Sequence, residues 1–162
     1  MKKKTAQTNW YYLAGSIFFC LLAGFVGSFF TVQSVGNWYL DIAKPSFNPP
    51  SWVFGPVWTT LYILMGISLY RILSLKWSKK ESVAVCLFVV QLALNIAWSY
   101  FFFGSRNLWM AFADIVVLWL AIFDLIGKFA KLDKLASILL YPYLAWVSFA
   151  SILNLAIAWL NR

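Results

Sequence analysis

At 162 residues, with 63% hydrophobic and only 11% charged side chains and a mean hydropathy of +0.78, the chain has too little polar surface to close a water-soluble domain of its size. It contains no histidine, which excludes imidazole bases, Ser-His-Asp triads and histidine-ligated zinc or haem. The net charge of +8 accompanies a membrane composition and so points to anionic headgroups and topology rather than nucleic acid.

Apolar runs long enough for a hydrocarbon core of roughly 30 Å, about 20 residues each, lie near 10–30, 52–73, 82–103, 108–127 and 135–159. The predicted fold class is all-α: one integral membrane domain over 1–162, a bundle of five transmembrane helices. The first run has no small-residue cleavage site before Gly24, so it reads as a span rather than a cleaved signal peptide. Ala23 with Gly27, and Gly24 with Ser28, are spaced for close approach of a neighbouring helix. A lid loop is predicted over 31–51. From Trp38 it reads WYLDIAKPSFNPPSWVFGPVWTTLYILMG into the second span. Pro45, Pro49, Pro50 and Pro56 remove backbone donors there and fix φ, while Trp38, Trp52, Trp58 and Tyr62 supply stiff rings with a polar edge. Such a segment is expected to form the mouth of a pocket.

On the third span Gln91 and Asn95 lie one turn apart, and Trp98 and Phe102 continue their face. Two amides there serve interhelical hydrogen bonding, ligand contact or both. Asp114, expected near mid-membrane on the fourth span, needs a partner or a proton. Asp124 with Lys128 at i+4 is explained by a surface pair. The fifth span carries Trp146, Ala150, Asn154 and Ala158 on one stripe, suited to a ligand or to another helix. Trp10, Trp77 and Trp159 sit at span ends, where an aromatic belt belongs; Trp58, Trp98 and Trp146 lie within spans and need another reason. Cys20 and Cys86 occupy different spans without CxxC spacing and read as small apolar residues. Neither GxGxxG nor GxxxxGK[ST] occurs, so no nucleotide loop is expected.

Basic residues partition between the two sides of these spans. Lys2, Lys3, Lys4, Arg71, Lys76, Lys79, Lys80, Lys128, Lys131 and Lys134 share one side, against Lys44, Arg106 and Arg162 on the other. Short basic loops stay in the cytoplasm. The N-terminus is therefore expected in the cytoplasm, with the proline-rich loop and the C-terminus opposite.

The loop string above, QLALNIAW with FFFG at 91–104, Asp114, and LLYPYLAW at 139–146 together resemble the translocator protein family, whose bacterial members are tryptophan-rich sensory proteins and whose mitochondrial member was formerly the peripheral benzodiazepine receptor. The resemblance covers all five spans in order. It implies a five-helix bundle, usually a homodimer, whose pocket is capped by the first loop and accepts porphyrins, isoquinoline carboxamides and, in animal members, cholesterol. It places Trp52, Phe54, Trp58, Tyr62, Asn95, Trp98, Trp146, Ala150 and Leu153 around the ligand. It makes Trp58 and Trp146 the pair associated with light-dependent porphyrin breakdown. Two positions depart from the family pattern. Leu155 stands where the animal sterol motif has tyrosine, and Met110 where animal members have a tryptophan at the pocket wall.

The function expected is a membrane receptor or sensor for tetrapyrroles such as protoporphyrin IX. No cofactor is required, porphyrin being ligand or substrate, and the partners are hydrophobic small molecules and membrane lipid. Light-dependent porphyrin oxidation needs no protein base, because the macrocycle supplies the reactive chemistry. Propionates on such a guest need cations, and Lys44 and Arg106 are the candidates at the rim. Both also suit ordinary interfacial positions. A transporter of hydrophobic ligands and a regulatory interaction protein stay open from sequence, although no internal repeat or broken-helix pair supports alternating access.

Overall fold

The computed structural model describes residues 9–162, so the Lys2–Lys4 cluster lies outside it. Five stretches are long and apolar enough to cross a membrane: Trp10–Val35, Ser51–Leu73, Lys79–Gly104, Leu108–Leu132 and Lys134–Leu160. No strand occurs among the described residues.

Helix α1 (Trp10–Val35) starts at Asn9, whose side chain accepts from the Tyr11 and Tyr12 amides, as an N-cap should. It runs five residues beyond the expected span, and the loop that was expected from residue 31 begins at Gly36. A one-turn helix, α2 (Trp38–Asp41), sits within that loop. A 3₁₀ turn at Ser51–Val53 leads into α3 (Phe54–Leu73). Helix α4 (Lys79–Ser99) opens with Ser78 as N-cap bonded to Glu81, a capping box written in the sequence as S-x-x-E. It ends in a π turn, Tyr100–Gly104, and the chain reverses at Arg106, whose φ of 56° is the only positive value at a non-glycine among the described residues. Asn107 then caps α5 (Leu108–Leu132). The fifth crossing is divided: α6 (Lys134–Ile138) is capped by Asp133, and α7 (Tyr141–Leu160) follows a turn at Leu139 and Leu140. Pro142 explains the break, since it has no N–H to offer the carbonyl four residues back.

Around the bundle, α1 packs along α3 and α4, α4 along α5, and α5 along α7. Lipid tails give helices no hydrophobic reason to associate, so close packing and buried hydrogen bonds must hold them together. Glycine supplies the packing between α1 and α3. A Cβ at Gly66 would stand 2.5 Å from the Ile17 Cα, and one at Gly24 would stand 2.4 Å from the Tyr62 ring. Side-chain bonds tie distant segments: Ser34 donates to the Phe103 carbonyl at 2.7 Å, Ser68 to Ala136 at 2.7 Å and Ser137 to Ile126 at 3.1 Å. At the lysine-rich end Arg71 holds Asp133 through two bonds of 2.9 and 2.7 Å. The Asp124–Lys128 pair forms as expected on the surface.

Candidate functional site

A cavity of about 620 Å³ occupies the half of the bundle that carries the 36–50 loop. Its walls come from α1, α2, α3, α4 with its π turn, and α7. The side where α3 faces α7 is closed by rings: Phe54 meets Trp146 edge-on at 5.9 Å, and Trp58 meets Tyr143 at 6.2 Å. Trp58 also stacks on Tyr62 at 5.6 Å. Trp98, tilted on Phe102 at 5.1 Å, forms the α4 wall. Three indoles thus line one apolar chamber of a size that suits a drug-sized or larger flat guest.

The polar atoms beneath are almost all engaged with one another. Tyr62 donates to Asn95 Oδ1 at 2.6 Å, Asn95 Nδ2 donates to the Tyr143 hydroxyl at 3.0 Å, and Tyr143 donates to Gln91 Oε1 at 2.9 Å. This relay joins α3, α4 and α7 in a buried chain. It answers the choice the sequence left open for Gln91: that side chain is structural, its Nε2 lying 3.9 Å from Met65 Sδ. Asn95 both belongs to the relay and lines the cavity. A second link fixes the wall, since Trp98 Nε1 donates to Asn154 Oδ1 at 2.9 Å and Asn154 Nδ2 to the Leu108 carbonyl at 3.0 Å. The Trp146 indole N–H is the exception: it is buried and has no acceptor. The Trp146 ring lines the cavity, but its N–H is packed out of reach of that space.

Of the residues singled out from sequence, Phe54, Trp58, Tyr62, Asn95, Trp98, Trp146, Ala150 and Leu153 all line this cavity. Trp52 does not; it is 76% exposed. Residues 55, 58, 59 and 62 of α3 face the cavity, whereas Trp52 falls on the exposed stripe with Pro56, Thr60 and Ile63 and serves as an interfacial ring. The two rim cations are also placed elsewhere. Lys44 Nζ donates to the carbonyls of Leu40 and Ile42 at 3.1 and 2.9 Å and lies over the Tyr39 ring. Arg106 lies 5.8 Å above Trp38. Neither is in the cavity wall, because both are drawn to carbonyls or ring faces of the lid itself. Asp114 stands on the second turn of α5, six residues past its start and nearer the loop end than the expected mid-membrane depth. It is buried, its Oδ2 has no partner, and it does not line the cavity. Met110 is exposed and outside the wall as well.

Sequence reasoning missed Tyr143, fully buried at the centre of the relay, although it lies one turn before Trp146 on the same stripe. It also missed the α1 wall, where Gly24, Gly27, Ser28 and Thr31 line the cavity. Small residues at that spacing suit helix packing, and Gly24 and Gly27 both pack against a neighbouring helix and line the cavity.

A multi-pass membrane bundle enclosing an aromatic chamber beneath a tied loop defines the class of protein. The sequence profile of the TspO/MBR family matches residues 16–160, and the chain belongs to that family. It is 49% identical over 150 residues to tryptophan-rich protein TspO of Chlorobaculum tepidum, covering 92% of this chain and 95% of the relative. It is 46% identical over 152 residues to tryptophan-rich protein TspO of Archaeoglobus fulgidus, covering 92% and 96%. It is also 40% identical over 139 residues to the human translocator protein, covering 82% and 80%.

Proposed function

We propose that this protein is a membrane receptor or sensor that binds tetrapyrroles such as protoporphyrin IX in the aromatic cavity. The observation that carries the reading is the chamber of about 620 Å³ with Trp58, Trp98 and Trp146 in its walls. A flat macrocycle would present its faces to the rings. Names of relatives support the sensory part, one being the tryptophan-rich sensory protein of Cereibacter sphaeroides. In light, the bound macrocycle is the pigment and reductant and dioxygen the oxidant, with the electron-rich indoles of Trp58 and Trp146 held beside the ring. The protein contributes position and exclusion of water. The loop end faces away from the cytoplasm in this reading, following the distribution of basic residues.

Purified protein mixed with protoporphyrin IX and followed by absorbance, in darkness and under illumination, tests both parts. Saturable binding in the dark is expected, with loss of the porphyrin band only in light and oxygen. Absence of saturable binding overturns the receptor reading, and a light-stable complex overturns the photochemical one.

A further inference from the structure

We propose that the cavity is reached from within the bilayer, through an opening between α1 and α3 in the leaflet at the loop end, so that its guests are apolar or amphipathic molecules already dissolved in that leaflet. The wall residues divide cleanly by exposure. Those contributed by α4, its π turn and α7 are all buried or half-buried, whereas Phe25, Ser28 and Val32 of α1 and Gly55 and Thr59 of α3 line the cavity and are also exposed on the outside of the bundle, as are Gly36 and Ser51, where the loop leaves α1 and enters α3. The cavity therefore reaches the surface along the α1–α3 seam.

The seam is shut toward the lysine-rich end, where Gly24 takes the Tyr62 ring and Gly66 takes the Ile17 backbone in near contact. Beyond Gly24 the slot continues for eight further residues of α1 to Val32, about 12 Å of helix, with Gly27, Ser28 and Thr31 of α1 and Gly55 and Thr59 of α3 as its small residues and Phe25 and Val32 at its outer edge. Its hydroxyl-bearing rim residues do not make it polar. Ser28 donates to its own helix at the Phe25 carbonyl, 2.7 Å away, and Thr59 to the Gly55 carbonyl at 2.9 Å. What the rim shows to lipid is methyl, methylene and ring surface, continuous with the hydrocarbon.

The way in from water is, by contrast, tied shut. Asn161 at the end of α7 clasps Ala43 through both its side-chain atoms, each bond 2.9 Å. Tyr39, buried against Phe102 and Phe103, donates to Asn48 at 3.0 Å. Phe47 packs edge-on against Phe149 at 6.4 Å. A guest arriving from the aqueous side has to break these links together, whereas one arriving from the leaflet meets no hydrogen-bonded tie, only apolar rim side chains and lipid tails.

The test uses the full chain in lipid nanodiscs, with Cys20→Ala and Cys86→Ser to remove its own thiols and Ala150→Cys as a reporter on the far cavity wall. Pyrenyl maleimide dissolved in the bilayer should label the reporter, and a sulfonated, membrane-impermeant maleimide should not. Adding Thr59→Trp, or separately Gly55→Leu, should slow pyrenyl labelling about ten-fold or more, while Asn161→Ala, which frees the lid, should leave it within about two-fold. Thermal unfolding of each variant confirms that it is folded. Comparable labelling by the sulfonated reagent, acceleration by Asn161→Ala, or no slowing in either rim variant overturns the proposal. Only a second arm, with protoporphyrin IX, rests on the reading above: the rim variants should slow its association about ten-fold or more, and Asn161→Ala should leave that rate within about two-fold. If labelling behaves as expected and protoporphyrin fails to bind, the tetrapyrrole reading falls and the side opening stands.

Discussion

Trp146 and Trp58 are neighbours of the same cavity with different polar circumstances: the Trp146 indole N–H is buried without an acceptor, and Trp58 is held by stacking on Tyr62 and an edge contact with Tyr143. Phenylalanine at either position keeps a stacking face and loses the oxidisable indole. Trp58→Phe and Trp146→Phe should therefore change protoporphyrin affinity by no more than about 1–2 kcal/mol while sharply slowing light-driven loss of the porphyrin band. Unchanged photobleaching in both would reduce them to packing residues. Tyr143 is a different case, because its hydroxyl accepts from Asn95 and donates to Gln91. Tyr143→Phe leaves a buried amide hydrogen and a buried carbonyl oxygen without partners and should cost about 1–2 kcal/mol of thermal stability in detergent. A Tm equal to that of the parent would show that water or a rearranged amide replaces the hydroxyl.

Between elements, the seam from α1 to α3 depends on the absence of side chains. Gly66→Leu forces a side chain into the Ile17 backbone, 2.5 Å from where its Cβ must lie, and should destabilise the bundle by about 3 kcal/mol. Gly15→Leu, on the same helix pair with nothing within 4 Å of its Cβ, is the control that should be near neutral. The junction of α5 and α6 depends on charge instead. The Arg71 guanidinium holds the Asp133 carboxyl below the ordinary carboxylate range, assisted by the Ala136 amide. A lowered folded pKa means that the stabilisation is present at neutral pH and is lost as pH falls through the lowered value. Asp133→Asn keeps a side chain able to cap α6 and removes the ion pair. It should lower stability by about 1 kcal/mol at pH 7, and the difference from the parent should close once the pH drops well below about 3.9. A gap that persists in acid would mean that the cap rather than the charge matters.

For the molecule as a whole, the proposed orientation sets the 36–50 loop against the basic turn between α3 and α4. Single cysteines at Ser46 and Lys79, in the background lacking Cys20 and Cys86, should separate in intact cells: an impermeant thiol reagent added outside reaches the first and reaches the second only after the membrane is opened. Labelling of both from one side would contradict the assigned topology. The same division of the bundle explains where the cavity lies. Glycine contacts bring α1 and α3 together toward the lysine-rich end, and the space between the helices at the loop end is lined by rings and roofed by the tied loop.

Hydropathy and run length alone determined five membrane crossings, because a hydrocarbon core imposes an apolar length that few other structures require. Periodicity placed Asn95 with Trp98 and Trp146 with Ala150 on shared stripes, since residues three and four apart share a helix face, and the stripe through Trp146 contained Tyr143 as well; Trp58 and Tyr62 came from the aromatic loop string and the family resemblance. The tertiary structure decided what periodicity cannot express. A one-residue offset turns Trp52 outward, and only the position of the neighbouring helices reveals which stripe is inward at a helix start. Lys44 and Arg106 are taken up by lid carbonyls and a ring face, contacts made by residues whose approach depends on the path of an irregular loop. Whether Gly24, Gly27 and Ser28 serve a helix or a cavity was likewise undetermined by their spacing. Gly24 and Gly27 touch α3 and α4 side chains and all three line the cavity, because two helices that meet at one end and part at the other use the same small side chains for contact and for space.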